Sequence, residues 1–417
     1  MLQLAIFQLL EDAMLEVAGI ELMQQVKTVR DIDVSGKRVL IRVDFNVPMD
    51  KEFNISDDTR IREALPTINY CIDHHAKNII LVSHLGRPDG KNHDLSLKHI
   101  IKRLERLLGK TVVFADDIDS AKSIQATLKN NTIILLENIR FYKGEEQNDE
   151  KLSKELASLC DVYVNDAFGT SHRAHASTHG IAKFTQEKVA GLLLKKEIDS
   201  FAKAFSNPLK PVLLIVGGSK VSSKLALLNN ILGLVDKIII GGAMSNTFLQ
   251  ALGHNMQKSL VEKELVSEAK AILDHAKAKG VKIYLPVDVV STDSLQSPTE
   301  IKISPVQDVP ANFMAVDIGP ASTKLFNQVI RDCQTIVWNG PLGVYEITQF
   351  SRGTFSVAHS IADTYAFSLI GGGDTADAVD KAGERDNMSF ISTGGGASLE
   401  LLEGKVLPAF EVLDKRN

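Results

Sequence analysis

The chain has 417 residues, 47 Lys+Arg against 52 Asp+Glu, a formal net charge of −5 and a hydrophobic fraction of 44%. That length and apolar content are sufficient for two or three domains, each with its own core. The mild acidity argues against a global field that would draw nucleic acid, so an anionic partner must be met by a local basic patch. The three cysteines, Cys71, Cys160 and Cys333, are far apart and odd in number. They form no CxxC or Cys/His zinc spacing, and are expected to be buried thiols of a reducing cytoplasm rather than a disulfide framework.

Residues 1–22 are apolar but interrupted by Glu11, Asp12, Glu16 and Glu21, with no Lys or Arg before Lys27. The basic start of a signal peptide is missing, and the uninterrupted run is too short to span a membrane. Ile6, Leu9, Leu10, Met14 and Val17 recur at helical spacing, which predicts an amphipathic helix. Such a helix could dock on the body or on a partner. Equally, Met23 could be the start of the chain made in the cell.

From residue 38 onward one pattern repeats: a short Val/Ile/Leu-rich run ends in Gly or a polar cluster, and a helical segment follows. In the first half the runs lie at 38–46, 78–86, 111–117, 132–140 and 161–169. In the second half they lie at 211–218, 236–243, 282–290, 334–340, 367–373 and 389–396. Near-continuous apolar runs predict strands buried on both faces, and their alternation with helices predicts doubly wound α/β lobes with parallel sheets. Between the halves, residues 192–208 read as a helix stopped at Asn207-Pro208, a connector and hinge between lobes. No solenoid-length repeat or low-complexity tract interrupts this scheme.

Ligands of open α/β sheets bind at the carboxyl ends of strands. In the first half those ends carry Asp44 and Asn46, then His84 and Arg87, then Arg140, and then His172, Arg173 and His175, with Arg60 in the segment after the first strand. Arginine meets carboxylate and phosphate through a rigid fork of donors. Arg60, Arg87, Arg140 and Arg173, each following a different strand, therefore predict a small ligand with several negative charges. The alternative is that each forms a surface salt bridge. The histidines lack acidic or Cys partners at metal-ligand spacing, which favours hydrogen bonding to an anion or a structural role.

In the second half the strand ends carry glycines. Residues 217–224 (GGSKVSSK) are expected to turn into a helix bearing Lys220 and Lys224, with backbone N–H groups able to cradle phosphate. Residues 370–378 place three glycines before Asp374 and Thr375 at a helix start. Asp374 reads either as an N-cap or as a contact to Mg²⁺, which prefers one or two carboxylates together with phosphate oxygens. Residues 392–398 repeat the glycine turn, and residues 339–346 supply Glu346 for a ribose. The P-loop pattern GxxxxGK[ST], the dinucleotide pattern GxGxxG and the protein-kinase triplets HRD and DFG are all absent.

Taken in order, RVDFNVP, SHLGRP, ENIRFYKGEE, DAFGTSHRAHAS, GGSKVSSK, NGPLGVYE, GGGDT and STGGGASLELLEGK closely resemble the signatures of the phosphoglycerate kinase family, from about Lys27 to the C-terminus. The resemblance implies a cytoplasmic, monomeric enzyme of glycolysis and gluconeogenesis. It would transfer a phosphoryl group reversibly between ATP and 3-phosphoglycerate, giving ADP and 1,3-bisphosphoglycerate, with Mg²⁺ as cofactor and no nucleic-acid or membrane partner. By resemblance, Asp44, Phe45, Asn46, Arg60, His84, Leu85, Gly86, Arg87, Arg140 and Arg173 hold the glycerate substrate. Lys224, Glu346, Gly372, Gly373, Asp374 and Thr375 hold the nucleotide, with Asp374 on the metal. Arg60, Lys220 and the backbone at Gly373 and Gly395 are assigned the transferring group.

The expected organisation is an extension at 1–22, a glycerate lobe at 23–191, the connecting helix at 192–208, a nucleotide lobe at 209–404, and a segment at 405–417 that returns to the first lobe. Residues 1–22 have no counterpart in the family pattern. Some relatives carry Asp where this chain has Ser223, so no role is carried over to that position. Two rivals make different demands. A nicotinamide-dependent dehydrogenase needs the missing GxGxxG, and a non-catalytic nucleotide binder predicts erosion of one ligand's residues, whereas both sets are present here.

Overall fold

The computed structural model describes residues 19–127 and 131–416. Most of the helix expected at the N-terminus therefore lies outside the described residues; residues 19–24 are helical. The chain divides into two compact units, one of Glu21–Asp199 with Val406–Asn417, the other containing Ser200–Lys405. The division falls inside the helix Leu192–Phe205.

The first unit is built on six parallel strands in the order β3-β4-β2-β1-β5-β6. These are β1 (Arg38–Arg42), β2 (Asn78–Val82), β3 (Val112–Ala115), β4 (Thr132–Leu136), β5 (Val162–Asn165) and β6 (Glu187–Ala190). Every residue of β2 and β5 is buried, as expected of strands covered on both faces. The helix Thr59–Asp73 turns Ile61, Ala64, Ile68 and Cys71 onto the sheet at helical spacing, and these join Val39, Ile41, Ile79 and Leu81 in one core. Strand β6, with sequence EKVA, is an edge strand absent from the sequence expectation. Half of it is polar, and its Glu187 pairs with Lys37 instead of entering the core.

A strap from the C-terminal end completes this unit. Lys27 N–H donates to the Asp414 carbonyl at 2.7 Å, Asp414 N–H to the Lys188 carbonyl at 2.9 Å, and Ala409 N–H to the Ser171 carbonyl at 3.2 Å. Phe410 meets Phe168 edge-on with ring centroids 6.4 Å apart.

The second unit has its own six parallel strands, in the order β15-β14-β13-β7-β8-β9. They are β7 (Val212–Val216), β8 (Lys237–Ile240), β9 (Lys282–Tyr284), β13 (Thr335–Asn339), β14 (Phe367–Gly371) and β15 (Phe390–Ile391). Trp338, Phe326, Ile215 and Ile370 are central to its core. A three-stranded antiparallel sheet, β11-β10-β12, was not expected. It comprises β10 (Asp288–Thr292), β11 (Ile301–Pro305) and β12 (Met314–Ile318). The run at 282–290, expected as one strand, is split between β9 and β10 in different sheets. Pro286 lies at the break, where it supplies no backbone donor to a ladder.

In both parallel sheets the strand order reverses beside the first strand of the unit. Strand β1 has β2 on one side and β5 on the other, and β7 has β8 and β13. Such a reversal opens a crevice at the carboxyl ends of the strands, where α/β folds bind ligands.

Candidate active site

In the first unit the crevice is lined by charge. Arg42, the last residue of β1, is 1% exposed and donates from Nε to Ser177 Oγ at 2.9 Å. Ser177 in turn donates to Glu145 through its hydroxyl at 2.5 Å and its N–H at 2.9 Å. Two residues on from Arg42, the buried Asp44 accepts Arg60 Nη1 at 2.8 Å and the Asn46 N–H at 3.1 Å. Asn46 Oδ1 accepts the Gly86 N–H at 2.8 Å, and the Gly86 carbonyl accepts Arg140 Nη1 at 2.6 Å. Asn138 clamps the same loop, accepting Leu85 N–H at 3.2 Å and donating to the Leu85 carbonyl at 2.7 Å. Phe45 N–H donates to Ser83 Oγ at 2.8 Å. The ends of β1, β2 and β4 are thereby bound into one rim, with Asp44, Asn46, Arg60, His84, Leu85, Gly86 and Arg140 brought together.

The positive charge of this rim exceeds what its carboxylates neutralise. Arg60 pairs with Asp44, and Arg140 with Glu146 at 3.2 Å. Arg173 donates to neighbouring His172 Nε2 at 3.1 Å and is close enough to Arg140 for the two charges to repel. Arg87 is exposed, with no carboxylate partner among the described residues. The two buried histidines beside these arginines are neutral, chiefly because of burial. Burial, with Arg42, Arg140 and Arg60 close by and Asp44 opposing, pushes His84 down to about 3. Burial together with Arg42, Arg140, Arg173 and His172 pushes His175 down to about 4.

His84 is thus neutral at pH 7. Its Nδ1 lies 3.4 Å from Arg42 Nη2; a guanidinium only donates, so Nδ1 accepts and the ring proton stays on Nε2. Burial works against ionising Asp44, but the Arg60 and Arg42 guanidinium groups and the Asn46 N–H favour the carboxylate, and its carboxyl lies below the ordinary value. The motif containing Arg42 was legible in the sequence, but its guanidinium was not singled out, because its partner Ser177 is distant in the chain. Asn138 and Glu145 lie in the motif ENIRFYKGEE and were likewise not singled out.

In the second unit the crevice is lined by backbone. Gly217 ends β7 and Gly340 ends β13, and the two press together. A Cβ on Gly217 would stand 2.0 Å from the Pro341 carbonyl oxygen, and one on Gly340 would stand 2.3 Å from the Gly217 oxygen. Beside them is a cavity of about 250 Å³ whose lining includes Gly218, Gly242, Pro341, Gly343, Glu346 and Asp374. The helices Gly373–Lys381 and Gly396–Leu402 begin at Gly372 and Gly395, at φ +91° and +50°, and neither start is capped by a side chain. Gly372 occupies the N-cap position and Asp374 lies inside the helix, so the N-cap reading of Asp374 gives way to the cavity-lining one. Thr375 Oγ1 accepts the Gly340 N–H at 2.7 Å, tying the β13 and β14 ends together.

Residues 217–224 depart from expectation. The helix starts only at Leu225, with Lys224 at its N-cap position, so Lys220 and Lys224 sit in an irregular loop. Serines there offer the backbone other partners. Ser223 Oγ donates to the Lys220 carbonyl at 2.8 Å, and Ser222 donates through Oγ and N–H to Glu262 at 2.6 and 3.1 Å. Lys220 is exposed, while Lys224 reaches inward to Asn339 Oδ1. Burial, opposed by Glu403 and Asp374, pushes Lys224 down to about 8. Asn339 was overlooked because a strand-end Asn before Gly reads as turn chemistry.

The two crevices thus differ in kind: one offers clustered guanidinium groups, the other glycine backbone, two lysines and the cavity-lining carboxylates of Asp317, Glu346 and Asp374. The family described as phosphoglycerate kinase matches residues 29–405. A phosphoglycerate kinase of Helicobacter hepaticus is 75% identical over 398 residues, covering 95% of this chain and 99% of the relative. One of Wolinella succinogenes is 72% identical over 400 residues, covering 96% and 100%. The solved structure of phosphoglycerate kinase from Coxiella burnetii superposes with a TM-score of 0.84 at 41% identity, covering 93% of this chain and 98% of that one. With the fold, the order of its motifs and near-full-length identity in agreement, the chain belongs to the phosphoglycerate kinase family.

Proposed function

We propose that this kinase carries out reversible phosphoryl transfer between ATP and the carboxylate of 3-phosphoglycerate, with the glycerate on the guanidinium-lined crevice and the nucleotide on the glycine-lined one. The observation that carries the reading is the cluster of Arg42, Arg60, Arg140 and Arg173 around buried histidines that burial, helped by nearby guanidinium groups, keeps neutral. A ligand bearing both a phosphate and a carboxylate neutralises the cluster, and His84 Nε2–H is left to donate to that ligand.

The accepting carboxylate is ionised at neutral pH, so its attack on the γ-phosphoryl group needs no general base. Catalysis then rests on alignment and on neutralising the equatorial oxygens. In this reading Arg60 and Lys220 meet the transferring group, and the open N–H groups at Gly373 and Gly395 add fixed positive dipoles. Lys224, Glu346, Gly372 and Thr375 form the nucleotide's surroundings. Asp374, a carboxylate lining the cavity, would hold Mg²⁺, which supplies charge neutralisation across the phosphates. Because the two ligands belong to separate lobes, transfer requires closure, which also excludes water as a competing acceptor.

The same reading makes the protein a cytoplasmic monomer without nucleic-acid or membrane partners. One chain carries both half-sites, all three thiols are free and buried, and the net charge is −5. Among the described residues no helix is long and apolar enough to cross a membrane. The test is ADP release from Mg-ATP by the pure protein. ADP is expected only when 3-phosphoglycerate is present, and Arg60→Ala is expected to suppress it. Equal release without 3-phosphoglycerate would overturn the substrate assignment.

A further inference from the structure

Outside the rim described above lies a second carboxylate, at the end of β5. Asp166 is 0% exposed, and its N–H donates to the Arg42 carbonyl at 2.8 Å, which ties it to the β1 end that carries the site. Its Oδ1 accepts the Leu194 N–H at 3.1 Å, in the first turn of the helix Leu192–Phe205. Gly191, just before that helix, lies so close that a Cβ there would stand 2.1 Å from Asp166 Oδ1. Thr67 Oγ1 accepts the Leu192 N–H at 2.8 Å, and its hydroxyl also favours the ionised form of Asp166. Thr67 lies two turns along the helix Thr59–Asp73 from Arg60, on the element that delivers that guanidinium. Asp166 Oδ2 is buried with no hydrogen-bond partner.

We propose that Asp166 is a positioning residue for phosphoryl transfer: its carboxylate anchors the first turn of the helix leaving the first lobe and, through Thr67, keeps it in register with the helix carrying Arg60. A carboxylate suits this place because the helix start presents unpaired N–H groups and a positive dipole end. The anchor differs from an ordinary cap in being fully buried with one oxygen unserved, so holding it ionised is costly. Burial pushes its carboxyl up to about 7, against Thr67 and the N–H groups of Leu194 and Leu193, and the negative charge of Glu63 adds to the rise. The other ionisable groups around it are Cys71 on the helix Thr59–Asp73, and on the departing helix Lys196, which pairs with Glu63 at 3.2 Å, and the buried Glu197. The anchor is therefore intact on the alkaline side of neutrality and is lost by protonation on the acid side.

The inference rests on the proposed reaction, so wild-type ADP release that depends on 3-phosphoglycerate is established first; if that fails, the reaction reading fails and not the anchor. The experiment is kcat against pH across neutrality for wild type and Asp166→Asn at saturating substrates. Wild type is expected to lose activity as the pH falls through about 7. The Asn variant, an isostere of the protonated acid, is expected to be flat across this range, and about tenfold slower on the alkaline side with both KM values within about twofold. A variant profile that superimposes on wild type, or a loss confined to KM, would overturn the proposal. Should Asp166→Asn fail to fold, Thr67→Val keeps the carboxylate but removes a group that favours its ionisation. It is expected to move the wild-type limb to higher pH, and an unmoved limb overturns the anchor.

Discussion

In the proposed reading the two lobes solve one problem, holding a polyanion at the switch point of a parallel sheet, with opposite materials. The first uses side chains: guanidinium groups delivered from strand ends and from a helix, partly offset by Asp44 and Glu146. The second uses main chain: Gly217 and Gly340 pressed together, and two helix starts opened by Gly372 and Gly395. Side-chain sites separate binding from folding, since a charge can be removed while the scaffold stands. Main-chain sites do not, because the atoms that meet the ligand also pack the lobe.

Substitutions in the two lobes should therefore split into different classes. The largest effect is expected from Lys220→Ala, an exposed side chain in the glycine lobe that behaves like those of the other lobe. Its kcat should fall about 100-fold or more with little change in nucleotide KM. A large KM rise with kcat intact would remove it from the transferring group. Next is Arg173→Ala, expected to raise the 3-phosphoglycerate KM about 10- to 100-fold while thermal stability and nucleotide KM hold. Loss of folding would make Arg173 structural.

Gly217→Ala should do the reverse. Its new Cβ would stand 2.0 Å from the Pro341 oxygen, so the strand ends must part. A loss of about 1–3 kcal/mol of stability is expected, with a rise in nucleotide KM alone. Calorimetry and steady-state kinetics on one preparation check both. The last effect concerns His84 and stability alone. Its ring is held near 3 when folded and titrates at the ordinary 6.5 when unfolded. The unfolded chain therefore binds the extra proton below that value, and stability falls as pH drops from about 6.5 toward 3. In His84→Gln the melting temperature should fall less over that range, and an unchanged slope would count against a neutral, buried ring.

The same contrast governs what could be read in advance. The strands buried on both faces, β2, β5 and β7, announce themselves as apolar runs, and the arginines that follow β2 and β5 and the glycines that follow β7 stand out against that background. Strands half in solvent do not: β6 is EKVA, and in β11 only Ser304 is buried. At 282–290 apolar content was a poor guide to continuity, because it says nothing about the sheet to which each half belongs. Lys220 and Lys224 were expected on a helix because the loop before its start is held by hydrogen bonds from Ser222 to Glu262, forty residues away. Arg42 and Asn339 were overlooked for a related reason: their partners, Ser177 and Lys224, are distant in sequence.

The strap from Val406 onward has a consequence for biosynthesis. Strand β6 forms an edge of its sheet, and Lys188 on it gives its carbonyl to Asp414 N–H and its own N–H to Asp414 Oδ2 at 3.2 Å. On the ribosome these groups have no partner until all of Ser200–Lys405 has been translated. The lobe made first is thus the last to be sealed, and through that interval its open strand edge is the part of the nascent chain most exposed to wrong pairing.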